Sequence, residues 1–124
     1  MARTEISSIG KETAEHYLWG NHCDGWHLLK NADLSVIQER MPPRTSEVRH
    51  FHLRAQQFFY ILSGEAVMEV DGRPVTLSSG HGIWIPVGTP HQMRNDSNQE
   101  IHFLVVSHPP SHGDREVVPD GCKS

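Results

Sequence analysis

The chain has 124 residues, with 11 Lys plus Arg against 15 Asp plus Glu and a formal charge of −4. That length suits one domain with a single core. The acidic balance, with no basic run, argues against nucleic acid or an anionic membrane as a partner. No apolar stretch approaches the roughly 18 residues that a membrane span needs. The first residues hold no apolar signal-like run, so the expected compartment is the cytoplasm. The two cysteines, Cys23 and Cys122, are then expected to stay reduced and incidental. Ten histidines stand out, and that density invites a metal or acid–base role.

In chain order, "HYLWGNHCDGW" comes first and places Tyr17, Trp19 and Trp26 in an irregular segment. Such aromatics need cover, from a barrel mouth or from a second subunit. Short strand-like runs then follow one another, separated by turn chemistry. "WHLLK" (26–30) leads to "NAD", and "LSVIQERM" (34–41) stops at Pro42-Pro43, which cannot continue a ladder. "EVRHFHL" (47–53) and "QFFYILS" (57–63) come next. "AVMEV" (66–70) meets Asp71-Gly72, the strongest hairpin signal in the chain, and "RPVTL" returns from it. "GIWIP" (82–86), "HQMRN" (91–95) and "EIHFLVVS" (100–107) complete eight or nine strands. The pattern predicts an antiparallel β-sandwich or barrel at about residues 26–108. The ends, 1–25 and 109–124, polar over 1–15 and 111–124, are expected to be extended arms around one domain spanning 1–124.

Residues i and i+2 of a strand point the same way, so His50 and His52 present two imidazoles on one face. Two neutral imidazoles make a metal clamp suited to zinc, iron, copper or nickel, once other ligands join them. Gln57 opens the next strand, and His91 follows a turn shaped by Pro86, Gly88 and Pro90. Alternation puts Phe59 and Ile61 on the face of Gln57, and Met93 and Asn95 on the face of His91. The strand 34–41 offers two faces. One carries Gln38 and Arg40, where Arg40 could pair an anionic ligand. The other carries Glu39, an acid or base. Asn95 is expected to bond the local backbone rather than a metal. Tyr60, His81 and His102 are further candidates for groups around the site.

The segment His50-x-His52-x4-Gln57-x6-Gly64 resembles the first cupin motif. Gly80-x5-Pro86-x-Gly88-x2-His91-x3-Asn95 matches the second cupin motif at every fixed position. Two departures stand out: Arg44 occupies the place of the leading glycine of motif one, and Gln57 that of its usual glutamate. The resemblance implies an all-β double-stranded β-helix, a small jelly-roll barrel. It also implies one divalent transition metal ion (iron, zinc, nickel or manganese) held by His50, His52, position 57 and His91. Phe59, Ile61, Met93, Gln38 and Arg40 are the expected pocket lining.

A glutamine offers a carbonyl oxygen without charge, so three neutral histidines and Gln57 leave the full charge of the ion uncompensated. Such a site suits dioxygenase-like or Lewis-acid isomerase or lyase chemistry on a small, possibly anionic molecule. The alternative is a small-molecule binder with a weak or vestigial metal site. A homodimer is expected, because the aromatic segment needs cover and such barrels expose an edge strand.

Overall fold

The computed structural model describes residues 6–119, and among them there is no helix. The strands are β1 (Glu15–Trp19), β2 (Cys23–Lys30), β3 (Ser35–Met41), β4 (Thr45–Ser46), β5 (His50–His52) and β6 (Gln56–Ser63). They continue as β7 (Ala66–Val70), β8 (Arg73–Leu77), β9 (Gly82–Ile85), β10 (His91–Asn95), β11 (Ile101–His108) and β12 (Arg115–Val117). One sheet runs β1-β2-β3-β11-β6-β9 and the other β12-β5-β10-β7-β8, with β4 also paired to β10. Every pairing is antiparallel.

The core lies between the sheets. From the first sheet come Phe59, Ile61, Ile85, Ile101, Phe103 and Val105; from the second come Ala66, Met68, Leu77 and Met93. The period-two burial of β6 and β11 explains why these sequences form strands: one face is apolar and occluded, the other faces out. At the β7–β8 hairpin, Asp71 and Gly72 both take positive φ, and Val70 pairs with Arg73 across a two-residue turn. That geometry matches the right-handed twist of the flanking strands. Gly64 serves a different need. A Cβ there would lie 2.7 Å from Ile101 Cγ2 and 3.0 Å from the Glu100 carbonyl, so the β6–β7 turn can press on β11 only with glycine.

The barrel takes in more of the chain than the runs of apolar residues suggest. β1 and the start of β2 precede residue 26, and β12 follows residue 108. These segments answer a backbone need: β2 and β5 would otherwise present open edges. The run 47–53 yields only the three-residue β5, flanked by the short β4. Cys23 is a buried free thiol, and Cys122 lies outside the described residues.

Arg44 takes a φ of 61° at the place where motif one has glycine. An L-residue strains there, and the side chain offsets this by donating to the Ser97 carbonyl and to Asn98 Oδ1. Both Arg44→Gly and Arg44→Ala remove those bonds. Arg44→Ala should therefore be less stable than Arg44→Gly by about 1 kcal/mol in urea unfolding, the cost of a Cβ at positive φ.

Candidate metal centre

His50 and His52 project to the inside of the second sheet from β5, and His91 joins them from β10, where it pairs directly with His50. The ring centroids lie 4.5 Å apart for His50 and His91, 4.9 Å for His50 and His52, and 5.8 Å for His52 and His91. One nitrogen from each can lie within 4.8 Å of the other two. Among the described residues this is the one such cluster of histidine, cysteine and acidic side chains.

Local backbone fixes the tautomers. His50 Nδ1 donates to the Val48 carbonyl at 2.7 Å and His91 Nδ1 to the Thr89 carbonyl at 2.9 Å, which leaves both Nε2 lone pairs for a ligand. The turn of motif two is tied to motif one by the Gly88 amide, which donates to the His52 carbonyl at 2.8 Å. Burial pushes all three imidazoles toward the neutral form, His50 down to about 3, and neighbouring imidazoles add to the effect at His50 and His52. Neutral imidazole is the form that binds metal.

Gln57 comes from β6 of the facing sheet. Its Nε2 donates to Ser107 Oγ at 3.0 Å, which turns Oε1 away from the only bonded partner. Gln57 Oε1, His91 Nε2 and both ring nitrogens of His52 are buried without any hydrogen-bond partner. One His52 nitrogen carries the ring proton, so three lone-pair atoms (Gln57 Oε1, His91 Nε2 and the other His52 nitrogen) are buried without a donor, which is costly unless something positive sits among them. Three imidazoles and an amide oxygen are a donor set that fits a divalent transition ion.

The site opens into a cavity of about 570 Å³. Phe59 lines it, as expected from alternation, together with Gln57, His50 and His52. Ile61 and Met93 are fully buried in the core instead and do not reach the cavity. Gln38 and Arg40 also depart from expectation. The phase of β3 is set by Ile37 and Glu39, which face the cavity, so Gln38 and Arg40 face out. Arg40 there bridges Asp24 at 2.8 Å and Glu100 at 2.7 Å. Tyr60 and His81 are exposed, and His102 pairs with Glu100 on the outer surface. Asn95 is a buried structural hub. Its Nδ2 donates to the carbonyls of Met41, Pro42 and Gln99, and its Oδ1 accepts from the Ser97 amide.

Several cavity residues carried no motif: Tyr17, Trp19, His27, Glu39, Glu47 and Arg115. Tyr17 and Trp19 answer the question of what covers the N-terminal aromatics: they form one wall of the cavity. Trp26 lies on the outside, stacked against His102 and capped by Lys11. Glu39 had one legible signal, its place between the apolar residues Ile37 and Met41 on one face of β3.

A cupin domain model matches residues 37–107, and the chain belongs to this family. It is 30% identical to an uncharacterised protein of Methanocaldococcus jannaschii over 93 residues, 74% of each chain. It is 31% identical to an oxalate-binding protein of Thermotoga maritima over 67 residues, 54% of this chain and 55% of that one. Among solved structures, the polyketide cyclase RemF from Streptomyces resistomycificus superposes with a TM-score of 0.79 at 20% identity, covering 94% of this chain and 89% of that one. At that identity the likeness concerns the fold.

Proposed function

We propose that the chain is a mononuclear metalloprotein that acts on a small molecule carrying oxygen donors, with the ion serving as a Lewis acid. The observation that carries this is the set of orphaned donors: His52, His91 Nε2 and Gln57 Oε1, buried beside the Nε2 lone pair of His50. A divalent ion held there would polarise an oxygen of the bound molecule, and its charge would be undiminished because Gln57 is neutral. The chain's own contribution is threefold. The Val48 and Thr89 carbonyls orient two imidazoles. Ser107 orients Gln57. Phe59, Ile37 and Val105 give the cavity an apolar wall that excludes water from one side of a bound molecule.

Elemental analysis of tag-free protein tests the reading. Wild type should carry about one equivalent of iron, zinc, nickel or manganese, and a His50→Ala/His91→Ala double variant should carry none. Wild type that takes up no ion from an excess would end it. A second reading, a non-catalytic carrier, is favoured by the binding role in the name of the Thermotoga relative. It predicts tight retention of a small acid with no turnover.

The cytoplasm is the compartment in which this chain would work, and a homodimer its assembly. Phe58, Tyr60 and Leu62 on β6 and Trp84 on the edge strand β9 are exposed on the outer face of the first sheet, Phe58 directly beside Trp84. A second copy would cover this apolar surface. Sedimentation should give twice the chain mass, and Phe58→Glu/Trp84→Glu should give a folded monomer. A monomeric wild type at micromolar concentration would exclude this face as the contact.

A further inference from the structure

Across three strands of the first sheet, Tyr17 pairs with Gly25 and Gly25 with Glu39. A Cβ on Gly25 would lie 2.2 to 2.5 Å from the Tyr17 ring, so the phenol lies flat over the missing side chain. Only that gap lets the Tyr17 hydroxyl reach past β2 and donate to Glu39 Oε2, at 3.0 Å. Tyr17, Glu39 and the histidines of β5 all line one cavity, with Glu39 carried by the sheet that faces those histidines. Among the described residues, one carboxyl oxygen is held by a neutral donor and no cation pairs with the group; Arg40, the adjacent guanidinium, faces out.

The other ionisable groups on the cavity come from every neighbouring element. β2 supplies His27 and Lys30, the residue after β4 supplies Glu47, the loop before β12 supplies His112, and β12 supplies Arg115. On β11 the residue paired with Glu39 is Phe103, which is apolar. Glu47 accepts a hydrogen bond from the Met93 amide at 2.8 Å. Burial pushes the Glu39 carboxyl up to about 7, against the downward pull of the Tyr17 bond. Burial and the nearby Glu39 push Glu47 up to about 8. A structural carboxylate is normally held low by a cation, as Arg49 holds Glu69 at 2.6 Å. Glu39 has instead the setting of a group that exchanges a proton near neutrality.

We propose that Glu39, positioned by Tyr17 across the gap at Gly25, is a proton-transfer residue for a small substrate with an enolisable carbonyl flanked by a second oxygen. The inference rests on the metal-site reading for the anchoring of the two oxygens. Glu39 as carboxylate takes the proton from the carbon next to the carbonyl. The C–H electron pair becomes the C=C bond of the enolate, and the carbonyl π pair moves onto its oxygen. After the Glu39 carboxyl exchanges its proton with solvent, return of a proton from Glu39 to that carbon restores the carbonyl, with hydrogen exchange at carbon as the net result. No oxidant or reductant is consumed. Tyr17 acts through its hydrogen bond to Glu39 and is a positioning residue.

Two measurements on the full chain test this. In the first, glutamate carboxyl carbons are labelled with ¹³C and titrated by NMR. Wild type should show glutamates titrating near neutrality, and Glu39→Gln should remove one of them. Tyr17→Phe, and Gly25→Ala by displacing the ring, should both move that midpoint upward, because the lost bond favoured the carboxylate. Midpoints all below about 5.5 would overturn the inference. In the second, loss of the carbon-bound proton signal of dihydroxyacetone, an α-hydroxyketone, is followed in D₂O with metal-loaded protein. Wild type should accelerate exchange, and Glu39→Gln should slow it on the order of 100-fold at unchanged metal content and circular dichroism. Equal rates in the two proteins, or no acceleration by wild type, would overturn it. Should Glu39→Gln misfold, Tyr17→Phe replaces it, with a shifted pH–rate midpoint as the expected result and an unshifted one as the contrary. A protein without metal defeats the metal-site reading and leaves the titration result to be read alone, so the two failures are distinguishable.

Discussion

Gln57→Glu should tighten the binding of a divalent ion by at least about tenfold, measured by competition with a chromophoric chelator. The substitution changes one side-chain atom and adds one formal charge in a pocket shielded from water. Coulomb attraction between that charge and a divalent ion is large in such a setting, and the desolvation of the carboxylate offsets only part of it. Ser107 need not be lost as a partner, because its hydroxyl can donate to a carboxylate as readily as it accepts from the amide. His91→Ala should act in the opposite direction and lower affinity by at least about 100-fold, more than the loss of a group that only orients a ligand. An affinity unchanged in Gln57→Glu would mean that position 57 stands off the ion and that three histidines hold it alone. The same variant should also weaken the polarising power of the site, since a carboxylate ligand cancels one of the two charges.

Asp114→Ala should lower stability by about 3 kcal/mol and the melting midpoint by roughly 10 °C. Asp114 is 3% exposed. Its carboxylate accepts hydrogen bonds from the backbone amides of Leu53, Arg54 and Ala55, at 2.9, 3.0 and 2.9 Å. Burial pushes its pKa up, but these bonds outweigh it and hold the carboxyl below its ordinary value. The three amides belong to the turn between His52 and Gln57, so one side chain from the segment before β12 sets the spacing of two metal-site residues. Removing it leaves the Ala55 amide buried without a partner, since Ala55 is 2% exposed. Metal affinity should fall together with stability, by about 10-fold or more, as for other groups that orient ligands. Asp114→Asn keeps one acceptor oxygen and should lose about half as much stability. A variant as stable as wild type would show that water replaces the carboxylate at all three amides.

The two motifs were readable because their residues serve geometry that one strand or one turn decides. His50 and His52 share a face by period two, and the Pro86–Pro90 turn sets the approach of His91 to the sheet. The Asp71-Gly72 hairpin is equally local. Gln57, too, faces inward as alternation requires. Alternation from a known inward residue gave Phe59 its place at the cavity, but it could not separate cavity from core. Ile61 and Met93 share the inner faces and lie where the sheets close on each other. For β3 the sequence offered two phases. Ile37 and Met41 decide between them only when the sheet packs, and they turn Glu39 inward and Arg40 out.

The chain by itself therefore determined the family, the jelly-roll architecture, the histidine cluster and the missing carboxylate at position 57. Each of these depends on spacings within a single strand, turn or motif. Tertiary structure alone decided the rest. It laid Tyr17 over Gly25 to reach Glu39, residues 22 apart in the chain. It brought Asp114 to the turn after β5 from about 60 residues away, and it recruited β1 and β12 to close open edges. Those contacts arise from the register between strands, and register is fixed by which faces bury together and which backbone edges lack partners. Neither condition is written in any one stretch of sequence.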